Sequence, residues 1–573
     1  MDSVCNAPGK SKKVEMNGRK RTTRADCFAF LNSGQAPALG IQPGLFQGAN
    51  RDRFLQKRAQ RGLPYGIPAA VLVAKNEKEK TGNNRSFCVA PTSSKGADRT
   101  SSGVAGACLL RHNNRMEDSQ LQLRYDGGSI VLEGGAVAIR ESLPGCRFDP
   151  RIGQYRAEAR FYRPIVEALR QRKIPYTDSA RAYEPAQWNL KSDREPFPHQ
   201  IEGLETWWRS GGQGVVVLPT GTGKTFLALL AIQKVGRPAL VVTPTIDLLN
   251  QWYGQMKDAF GVEVGLLGGG NYDLQPLTVS TYDSAYIHIE RWGNRFGLLI
   301  CDECHHLPGP SYQLIAAGSL APFRLGLTAT PERADGQEVL LSTLLGDIVY
   351  RREITQLAGE FLAEYRTLRV YVDLTPEEQR LYRENREKYR AFAFSRGISL
   401  GGANGWQRFI VECSRTAEGR AAFQAYREQK RIERAPAAKL AKLAELLDKH
   451  RLDRILIFTA DNATVYRIAR QFLVPAITHQ TKAKERRKML ERFHSGEYSI
   501  MVTSQVLNEG VDVPAASIGI VLSGTGTTRE NVQRLGRLLR KYGDKQALLY
   551  EVIARGTAEE YTSERRRQHR AFQ

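Results

Sequence analysis

The residues with the most specific chemistry form a glycine-rich loop between an apolar run and a helix-forming segment. The loop reads Pro-Thr-Gly-Thr-Gly-Lys-Thr over 219–225 and follows the apolar run 215–218. Glycines allow successive backbone N–H groups to surround phosphate oxygens at a helix N-terminus, where the helix dipole also favours an anion. The pattern predicts an ATP-binding loop in which Lys224 contacts the β- and γ-phosphates and Thr225 ligates Mg²⁺. The residues assigned to the nucleotide here are Thr220, Gly221, Thr222, Gly223, Lys224 and Thr225.

A pair of carboxylates follows a second apolar run, 298–301. Carboxylates at the carboxyl end of a buried strand face the ligand crevice of an open α/β sheet. We expect Asp302 to hold Mg²⁺ and Glu303 to orient and deprotonate the attacking water. The Cys-x-x-Cys-His-His spacing that begins at Cys301 also resembles a metal or redox site. No second ligand pair is spaced to complete a zinc site, so we prefer the interpretation based on the carboxylates.

Short apolar runs separated by helical segments must position these residues. They occur at 215–218, 239–242, 298–300 and 325–327, and a later set occurs at 455–458, 500–502, 518–522 and 547–552. Such runs are typical of parallel strands buried on both faces. The sequence therefore predicts an α/β fold with two doubly wound parallel-sheet domains. A hairpin over 121–133 and an amphipathic helix over 160–172 predict a small α+β module before them.

Five segments follow from these patterns. They are a basic, disordered extension over 1–115, the α+β module over 116–186, a first α/β domain over 187–355, a linker with a helical insertion over 356–434, and a second α/β domain over 435–573. In the insertion, Thr375 should cap a first helix with Pro376 at its first position, and 406–434 should form a second helical region.

The charge favours a polyanionic partner. The 573 residues contain 83 Lys and Arg against 60 Asp and Glu, a net charge of +23. Residues 1–115 contain 20 basic and 7 acidic residues, so +13 of this excess lies there and +10 in the remainder. A solvated basic tail explains much of such an excess, and composition alone favours nucleic acid only modestly.

Further motifs follow the phosphate loop in a fixed order. They are Pro244–Trp252, Ser280–Tyr282, Thr328–Thr330, Thr503–Asp512 and Gln533–Arg540. Together with the loop they resemble the helicases of superfamily two, whose two RecA-like domains close around ATP. The resemblance implies that Gln200 lies beside the adenine, Thr328 and Thr330 couple the domains, Gly510 and Asp512 lie near nucleotide and strand, Gln533 lies in the cleft, and Arg537 and Arg540 act as arginine fingers. If a cation reaches the γ-phosphate only when the two domains close, ATP hydrolysis depends on that closure.

Within superfamily two, the sequence is similar to the XPB-type helicases and translocases. The similarity is carried by Asp302–Pro308, Ala321–Thr330 and Pro331–Gly336. The family's Arg-Glu-Asp element appears here as Arg333-Ala334-Asp335, without the central glutamate. The module containing Tyr125–Gly128 and Phe148–Arg151 resembles the family's damage-recognition domain, and the insertion matches the place of its thumb.

This resemblance implies an ATP-dependent DNA helicase or translocase with 3′ to 5′ polarity and a role in nucleotide excision repair. The implied cofactors are ATP and Mg²⁺. The implied partners are duplex or forked DNA, bound without regard to sequence, and a structure-specific nuclease. The DNA contacts implied for this chain are Pro244, Thr245, Thr281, Thr503, Arg333 and Asp335. Aromatic residues that alternate with basic ones in the insertion suggest either a wedge for DNA or the packing of a helical hairpin; they are Tyr382, Tyr389, Phe392, Phe394 and Trp406.

Two alternatives remain open at this point. One is a related superfamily-two motor, such as a restriction-type translocase or an RNA helicase. The other is a basic nucleic-acid scaffold without activity, against which the intact phosphate loop and carboxylates argue. The sequence has no apolar run near the ~20 residues of a membrane span and no signal peptide, and its 8 cysteines are scattered, so we expect a cytoplasmic protein. The extension over 1–115 is either a DNA-binding arm or lies before a true start at or near Met116.

Overall fold

The computed structural model describes residues 120–333, 335–401, 404–504, 516–524, 528–539 and 546–567. The expected extension over 1–115 lies outside these residues, and so does Ala334. Within the described ranges, no helix combines the length and the apolar character that crossing a membrane requires.

The first described segment forms a five-stranded sheet covered by one longer helix. The strands are β1 (Leu121–Asp126), β2 (Ser129–Glu133), β3 (Arg147–Asp149), β4 (Gln154–Glu158) and β5 (Tyr176–Asp178), in the order β3-β4-β2-β1-β5, and the helices are α1 (Val137–Glu141) and α2 (Tyr162–Gln171). The predicted hairpin is confirmed, because β1 and β2 pair antiparallel through a turn at Gly127 and Gly128 with φ of 53° and 83°. Both values lie in the left-handed region that glycine adopts without strain. The apolar face of α2, with Ile165 and Leu169, packs into the core of this module.

The module lies directly on the next domain. The Tyr125 hydroxyl lies 2.9 Å from two backbone carbonyl oxygens of that domain, those of Ile289 and Gly318, and can donate its one hydrogen to either. The side chain of Leu320, which also belongs to that domain, is buried in the core of the module. The contact is therefore both apolar and hydrogen-bonded.

The predicted first parallel sheet is confirmed. Its strands are β6 (Gln213–Val217), β7 (Ala239–Thr243), β8 (Gly265–Gly268), β9 (Asn271–Tyr272), β10 (Leu277–Thr281), β11 (Leu298–Asp302), β12 (Phe323–Thr328) and β13 (Ile348–Arg351). They are ordered β13-β6-β12-β11-β7-β10-β8-β9, and every pair is parallel except β8 with β9. Because helices cover both faces, each face of the sheet carries its own apolar cluster.

The helices of this domain divide between the two faces. One face is covered by α3 (Pro198–Arg209), α4 (Lys224–Val235) and α5 (Ile246–Phe260), and the other by α6 (Tyr282–Trp292), α7 (Gln313–Ala317) and α8 (Leu340–Leu344). This arrangement is doubly wound, as the apolar runs predict.

The second parallel sheet contains β14 (Tyr365–Val372), β15 (Ile455–Phe458), β16 (Ala476–Ile477), β17 (Ile500–Thr503), β18 (Ile518–Val521) and β19 (Ala547–Ala554). Their order is β14-β19-β18-β15-β17-β16. The helices are α9 (Ile354–Leu357), α13 (Ala437–Lys449), α14 (Asn462–Phe472), α15 (Ala483–Ser495), α16 (Thr528–Leu538) and α17 (Glu559–Arg566). The structure corrects one boundary here: β14 falls inside the segment 356–434 expected as linker and insertion, yet it pairs with β19 along its whole length.

The insertion consists of α10 (Pro376–Ser395), α11 (Gly405–Arg415) and α12 (Ala417–Arg434). Thr375 caps α10 as predicted, since its hydroxyl accepts from the Glu378 N–H at 3.2 Å. The region 406–434 is two helices rather than one, because Thr416 leaves helical geometry and caps α12. Four of the five aromatic residues considered as a wedge are at least partly buried, and Phe394 alone of the five is exposed, at 87%. Packing therefore explains the other four: Tyr389, Phe392 and Trp406 belong to the core of the insertion, and Tyr382 contacts α17 through Ala558.

Candidate active site

The strand order brings the phosphate loop and the carboxylates together. Strands β6, β12 and β11 are adjacent, and the loop follows β6 while the carboxylates end β11. Their carboxyl ends are level, since Thr328 pairs with Val217 and Asp302 pairs with Leu327. Because parallel strands end at the same edge of a sheet, motifs far apart in sequence meet at one place.

The phosphate loop has the backbone geometry that its glycines permit. Gly221 and Gly223 have φ of 91° and 85°, and Gly223 directly precedes α4. The Lys224 ammonium donates to the carbonyls of Leu218 and Pro219 at 3.2 and 3.4 Å. The lysine therefore lies along its own loop, at the N-terminus of a helix where an anion is favoured.

Gln200 supports the loop from behind. Its amide nitrogen donates to the carbonyls of Thr222 and Gly223 at 3.0 and 3.1 Å, and its amide oxygen accepts from the Phe197 N–H. His199 Nε2 donates to the same Thr222 carbonyl at 2.9 Å. Gln200 is fully buried, so in this structure its amide positions the loop and is not presented to an adenine, in contrast to the expected role.

The two carboxylates are held by different partners. Asp302 is buried, and its Oδ2 accepts from the Trp252 indole at 2.8 Å while its Oδ1 accepts from the Glu303 N–H at 3.0 Å. Glu303 has φ of 46°, a left-handed conformation that is uncommon for a residue with a side chain. Because of this turn, the neighbouring Asp302 and Glu303 carboxylates point in different directions.

Thr328 links the carboxylates to the next motif. Its hydroxyl donates to Glu303 Oε2 at 3.4 Å and accepts from the Thr330 N–H at 3.2 Å. The buried His305 ring completes the group, with Nδ1 3.1 Å from the Thr328 hydroxyl. The Thr328 hydroxyl therefore connects Glu303 to the segment after β12, so a movement of the Glu303 carboxylate can affect that segment.

A cavity of about 500 Å³ opens between these elements. Its lining includes the loop, both carboxylates and one side of α5: Thr220, Gly221, Gly223, Lys224, Thr225, Phe226, Gln251, Gln255, Asp302 and Glu303. Thr225 and Asp302 thus share a cavity with the lysine, which is the arrangement that a phosphate chain with a bound cation requires.

The second domain approaches the loop through α16. A Cβ atom at Gly536 would lie 2.7 Å from Thr220 Cβ, so the helix backbone touches the loop. Gln533, also in α16, is buried. Arg537 follows Gly536 in α16, whereas Gly510, Asp512 and Arg540 lie outside the described residues.

Thr220 Oγ1, in the loop, is buried and has no hydrogen-bond partner within the described residues. The same holds for Thr330 Oγ1 and Gln533 Nε2. Because buried polar groups are normally paired and Thr220 lines the cavity, its hydroxyl indicates a place for a polar ligand there.

Two further contacts join the domains. Asp247, in the first turn of α5, forms an ion pair with Arg486 of α15. Phe361, packed on the second domain's core, has its ring 5.2 Å from that of Phe197 and 4.9 Å from that of His199.

The residues expected at DNA lie in different environments. Pro244 and Thr245 follow β7, and Thr245 and Thr281 cap α5 and α6 through their side-chain oxygens. Both helix N-termini lie at the same sheet edge as the phosphate loop, because β10, β7, β11, β12 and β6 form successive parallel pairs. Thr503 is fully buried, and its hydroxyl donates to the Ser504 carbonyl, so the structure does not present this hydroxyl to DNA.

Arg333 is bound within the protein. Its guanidinium makes a bidentate contact with Asp335, at 2.8 and 2.6 Å, and also donates to the His305 carbonyl. Hydrogen bonds from Arg333 lower the pKa of Asp335 to about 2. In this structure the pair connects the segment after β12 to the back of the carboxylate motif and does not present a free cation to DNA.

The cysteines near the carboxylates are buried. Burial raises the pKa of Cys301 to about 12 and that of Cys304 well above its ordinary value, which favours the neutral thiol. In the part of the chain that the structure describes, no group of three or more His, Cys, Asp or Glu residues could hold a metal ion.

Comparisons with known proteins agree with this architecture. Residues 123–180 match the xeroderma pigmentosum group B helicase damage recognition domain, 193–333 match the type III restriction enzyme res subunit, and 438–542 match the helicase conserved C-terminal domain. A DNA 3'-5' translocase XPB2 from Sulfurisphaera tokodaii is 39% identical over 446 residues, which cover 78% of this chain and 99% of that protein. The chain belongs to the XPB family.

Two other relatives share less sequence identity with this chain. A DNA 3'-5' helicase XPB from Mycobacterium tuberculosis is 30% identical over 66% of this chain and 63% of that protein. A putative DNA 3'-5' helicase Rad25 from Halobacterium salinarum is 26% identical over 78% of this chain and 70% of that protein. The solved Hef helicase domain of Pyrococcus furiosus covers 65% of this chain at 19% identity, with a TM-score of 0.44.

Membership of the XPB family implies the use of ATP, and it confirms the resemblance found in the motifs. The sequence did not reveal which residues hold the phosphate loop and the carboxylates in place. Trp252, which fixes Asp302, and His199, which holds the loop, lie within or beside recognised motifs, and that proximity was the only signal available.

Proposed function

We propose that this chain is an ATP-dependent DNA translocase and helicase that closes two RecA-like domains around ATP. The observation that carries the proposal is the meeting of three elements at one cleft: the phosphate loop, the carboxylates and helix α16 of the other domain. The XPB relatives, named as 3'-5' translocases and helicases, support DNA as the track and 3′ to 5′ as the polarity.

In this proposal the loop holds the phosphate chain of ATP. Backbone N–H groups over 220–225 surround the phosphates, and Lys224 exchanges its carbonyl partners for the β- and γ-phosphates. Gln200 and His199 hold the loop in shape while this exchange occurs.

Thr225 and Asp302 are the residues that would hold Mg²⁺. Both offer the hard oxygen ligands that this ion prefers, and both line the same cavity. The Trp252 and Glu303 hydrogen bonds fix the Asp302 carboxylate without removing all its acceptor capacity. When bound, the ion neutralises charge on the phosphate oxygens.

Glu303 is proposed as the base that orients and deprotonates the attacking water. Its carboxylate is held by the Thr328 hydroxyl, so its position depends on the motif after β12. Arg537 and Arg540 are proposed as the cations from the second domain that stabilise the transition-state charge on closure. Gly510, Asp512 and Gln533 would complete the second domain's side of the cleft.

The DNA backbone is proposed to run along the edge formed by the N-termini of α5 and α6. Both helices have at least eleven residues, and their free N–H groups suit phosphate oxygens. Pro244, Thr245 and Thr281 lie at this edge, and Thr503 would contribute through its backbone. Arg333 and Asp335 would act on DNA only after their mutual ion pair opens.

The module over 123–180 is proposed to direct this motor to damaged DNA in nucleotide excision repair, together with a structure-specific nuclease. Its match to the damage recognition domain supports the proposal, and its hydrogen bonds through Tyr125 would carry it with the first domain.

The test is ATP hydrolysis by the full chain with Mg²⁺, measured without nucleic acid and with duplex DNA, single-stranded DNA or RNA. We expect DNA to stimulate hydrolysis and RNA to do so much less. Displacement of a triplex-forming strand from duplexes that carry a single-stranded tail of either polarity would then report translocation and its direction. Stimulation by RNA alone would instead indicate an RNA helicase, and no hydrolysis under any condition would indicate a scaffold.

A further inference from the structure

Helix α16 contacts the phosphate loop at a glycine, at a position where there is no room for a side chain. A Cβ atom built on Gly536 would lie 2.7 Å from Thr220 Cβ, 3.3 Å from its Oγ1 and 3.4 Å from its carbonyl oxygen. Real Cβ contacts essentially never come below 3.0 Å. The neighbouring atom is a branched Cβ on a tight loop, so it cannot rotate away as the end of a long side chain could.

The backbone of α16 gives no other reason for glycine at this position. Gly536 lies inside the helix Thr528–Leu538 and is not among the described glycines with positive φ. In a helix interior, glycine costs about 1 kcal/mol relative to alanine. The helix alone would therefore be more stable with alanine, and only the close approach to Thr220 favours glycine.

We infer that Gly536 is a positioning residue that sets how closely the second domain can approach the phosphate loop. This inference rests on the proposed function. Any side chain at 536 would hold α16 away from Thr220, and Arg537, the next residue, would stop short of the γ-phosphate. Since a displacement of ~1 Å can cost ~10²-fold in rate, a single methyl group is enough to uncouple ATP binding from hydrolysis.

The two domains would remain in contact in such a variant. The Asp247–Arg486 ion pair and the packing of Phe361 on Phe197 do not involve a Cβ atom at 536. The expected effect is a tilt at the cleft and not a separation of the domains.

The test is Gly536→Ala in the full chain, with three measurements. We expect the Kd of a fluorescent ATP analogue to stay within about threefold, single-turnover hydrolysis with DNA to fall at least ~10-fold, and Tm to stay equal or rise. The matched control is Gly254→Ala in α5, where a Cβ meets no atom within 4 Å. This control should keep full hydrolysis.

A double-mutant cycle with Thr220→Gly shows whether Gly536→Ala acts through the contact with Thr220 or through a general disturbance of the protein. This change removes the Cβ and Oγ1 that a methyl group at 536 would strike, and it lowers hydrolysis on its own because Thr220 lies in the loop. In the Thr220→Gly background, Gly536→Ala should cost less than threefold. The inference is overturned if Gly536→Ala hydrolyses ATP at the wild-type rate, or if its cost is equal in both backgrounds. Failure of the wild-type chain to hydrolyse ATP would contradict the proposed function instead.

Discussion

Lys224 is the residue whose chemistry is least replaceable in the candidate site. Within the described residues, its ammonium donates to the backbone carbonyls of Leu218 and Pro219, so it is available to neutralise phosphate charge. We predict that Lys224→Ala lowers DNA-stimulated ATP hydrolysis at least ~10²-fold. DNA binding should survive, because Lys224 lies outside the edge formed by α5 and α6. Hydrolysis assays and a DNA-binding titration of the same preparation check both parts. Near-normal turnover would contradict the assignment of this loop to phosphate binding.

Thr328 tests the link between the carboxylates and the segment after β12. Thr328→Val keeps the shape but leaves the Thr330 N–H and the His305 ring without the hydroxyl, at a cost of about 1–3 kcal/mol in folding free energy. We expect ATP binding to persist and the hydrolysis rate to fall ~10-fold, because Glu303 loses a partner. The control is Thr278→Val on β10, whose hydroxyl bonds to the backbone of Gln275. It should lose comparable stability but no activity, and an equal loss of activity in both variants would assign Thr328 to folding alone.

At the scale of elements, α13 and α17 are joined by a buried ion pair. The Lys439 ammonium contacts Glu559 Oε2 at 2.5 Å and the Leu522 carbonyl at 2.6 Å, and both side chains are almost wholly buried. Burial lowers the pKa of Lys439 and raises that of Glu559. The pair therefore anchors the last described helix to the second sheet at the cost of desolvating two charges.

Removing one partner of this pair should be worse than removing both. We predict that Lys439→Met destabilises the second domain by about 3–5 kcal/mol, because the buried Glu559 carboxylate loses its ammonium partner. In the double variant Lys439→Met/Glu559→Gln, the new amide can still accept from the Ala554 N–H, so most of the loss should be recovered. Denaturant unfolding of the wild type and of the two variants measures this. A double variant as unstable as Lys439→Met would show that packing and not charge determines the cost.

At the scale of the whole molecule, the segment before the described fold carries more than half of the net charge. Residues 1–115 have a net charge of +13 out of +23, and β1 begins at Leu121. We predict that a chain starting at Met116 unfolds with unchanged cooperativity and keeps DNA-stimulated hydrolysis. If the segment is a DNA-binding arm, its removal weakens affinity and reduces the slope of log K against log salt. Titrations at several salt concentrations check this, and loss of folding after truncation would place the domain boundary elsewhere.

Binding by the full chain should follow from contacts with phosphates. We predict that DNA affinity falls steeply with salt and varies little with sequence, because the proposed contacts are helix N-termini and backbone groups that do not read bases. Competition between duplexes of unrelated sequence at constant salt measures this. A strong preference for one sequence would contradict the proposed DNA edge.

The sequence by itself determined the two parallel sheets, the phosphate loop and the carboxylate pair. These depend on local patterns: apolar runs that must be buried on both faces, glycines before a helix, and acidic residues at a strand end. It also determined the hairpin of the first module and the cap of α10, because Gly127, Gly128 and Thr375 act within a few residues of their own position.

Only the tertiary structure decided which hydrogen bonds form between residues that are distant in sequence. It assigned Gln200 to the back of the loop, closed Arg333 onto Asp335, buried the Thr503 hydroxyl and placed β14 in the second sheet. It also showed that four of the five aromatic residues considered as a wedge are packed and that Phe394 is exposed. Each of these outcomes depends on which surfaces meet after folding, and a side chain's partners across such a surface leave no periodic trace in the sequence. The approach of Gly536 to Thr220 is of the same kind, since a glycine in a helix is explained only by what lies against it.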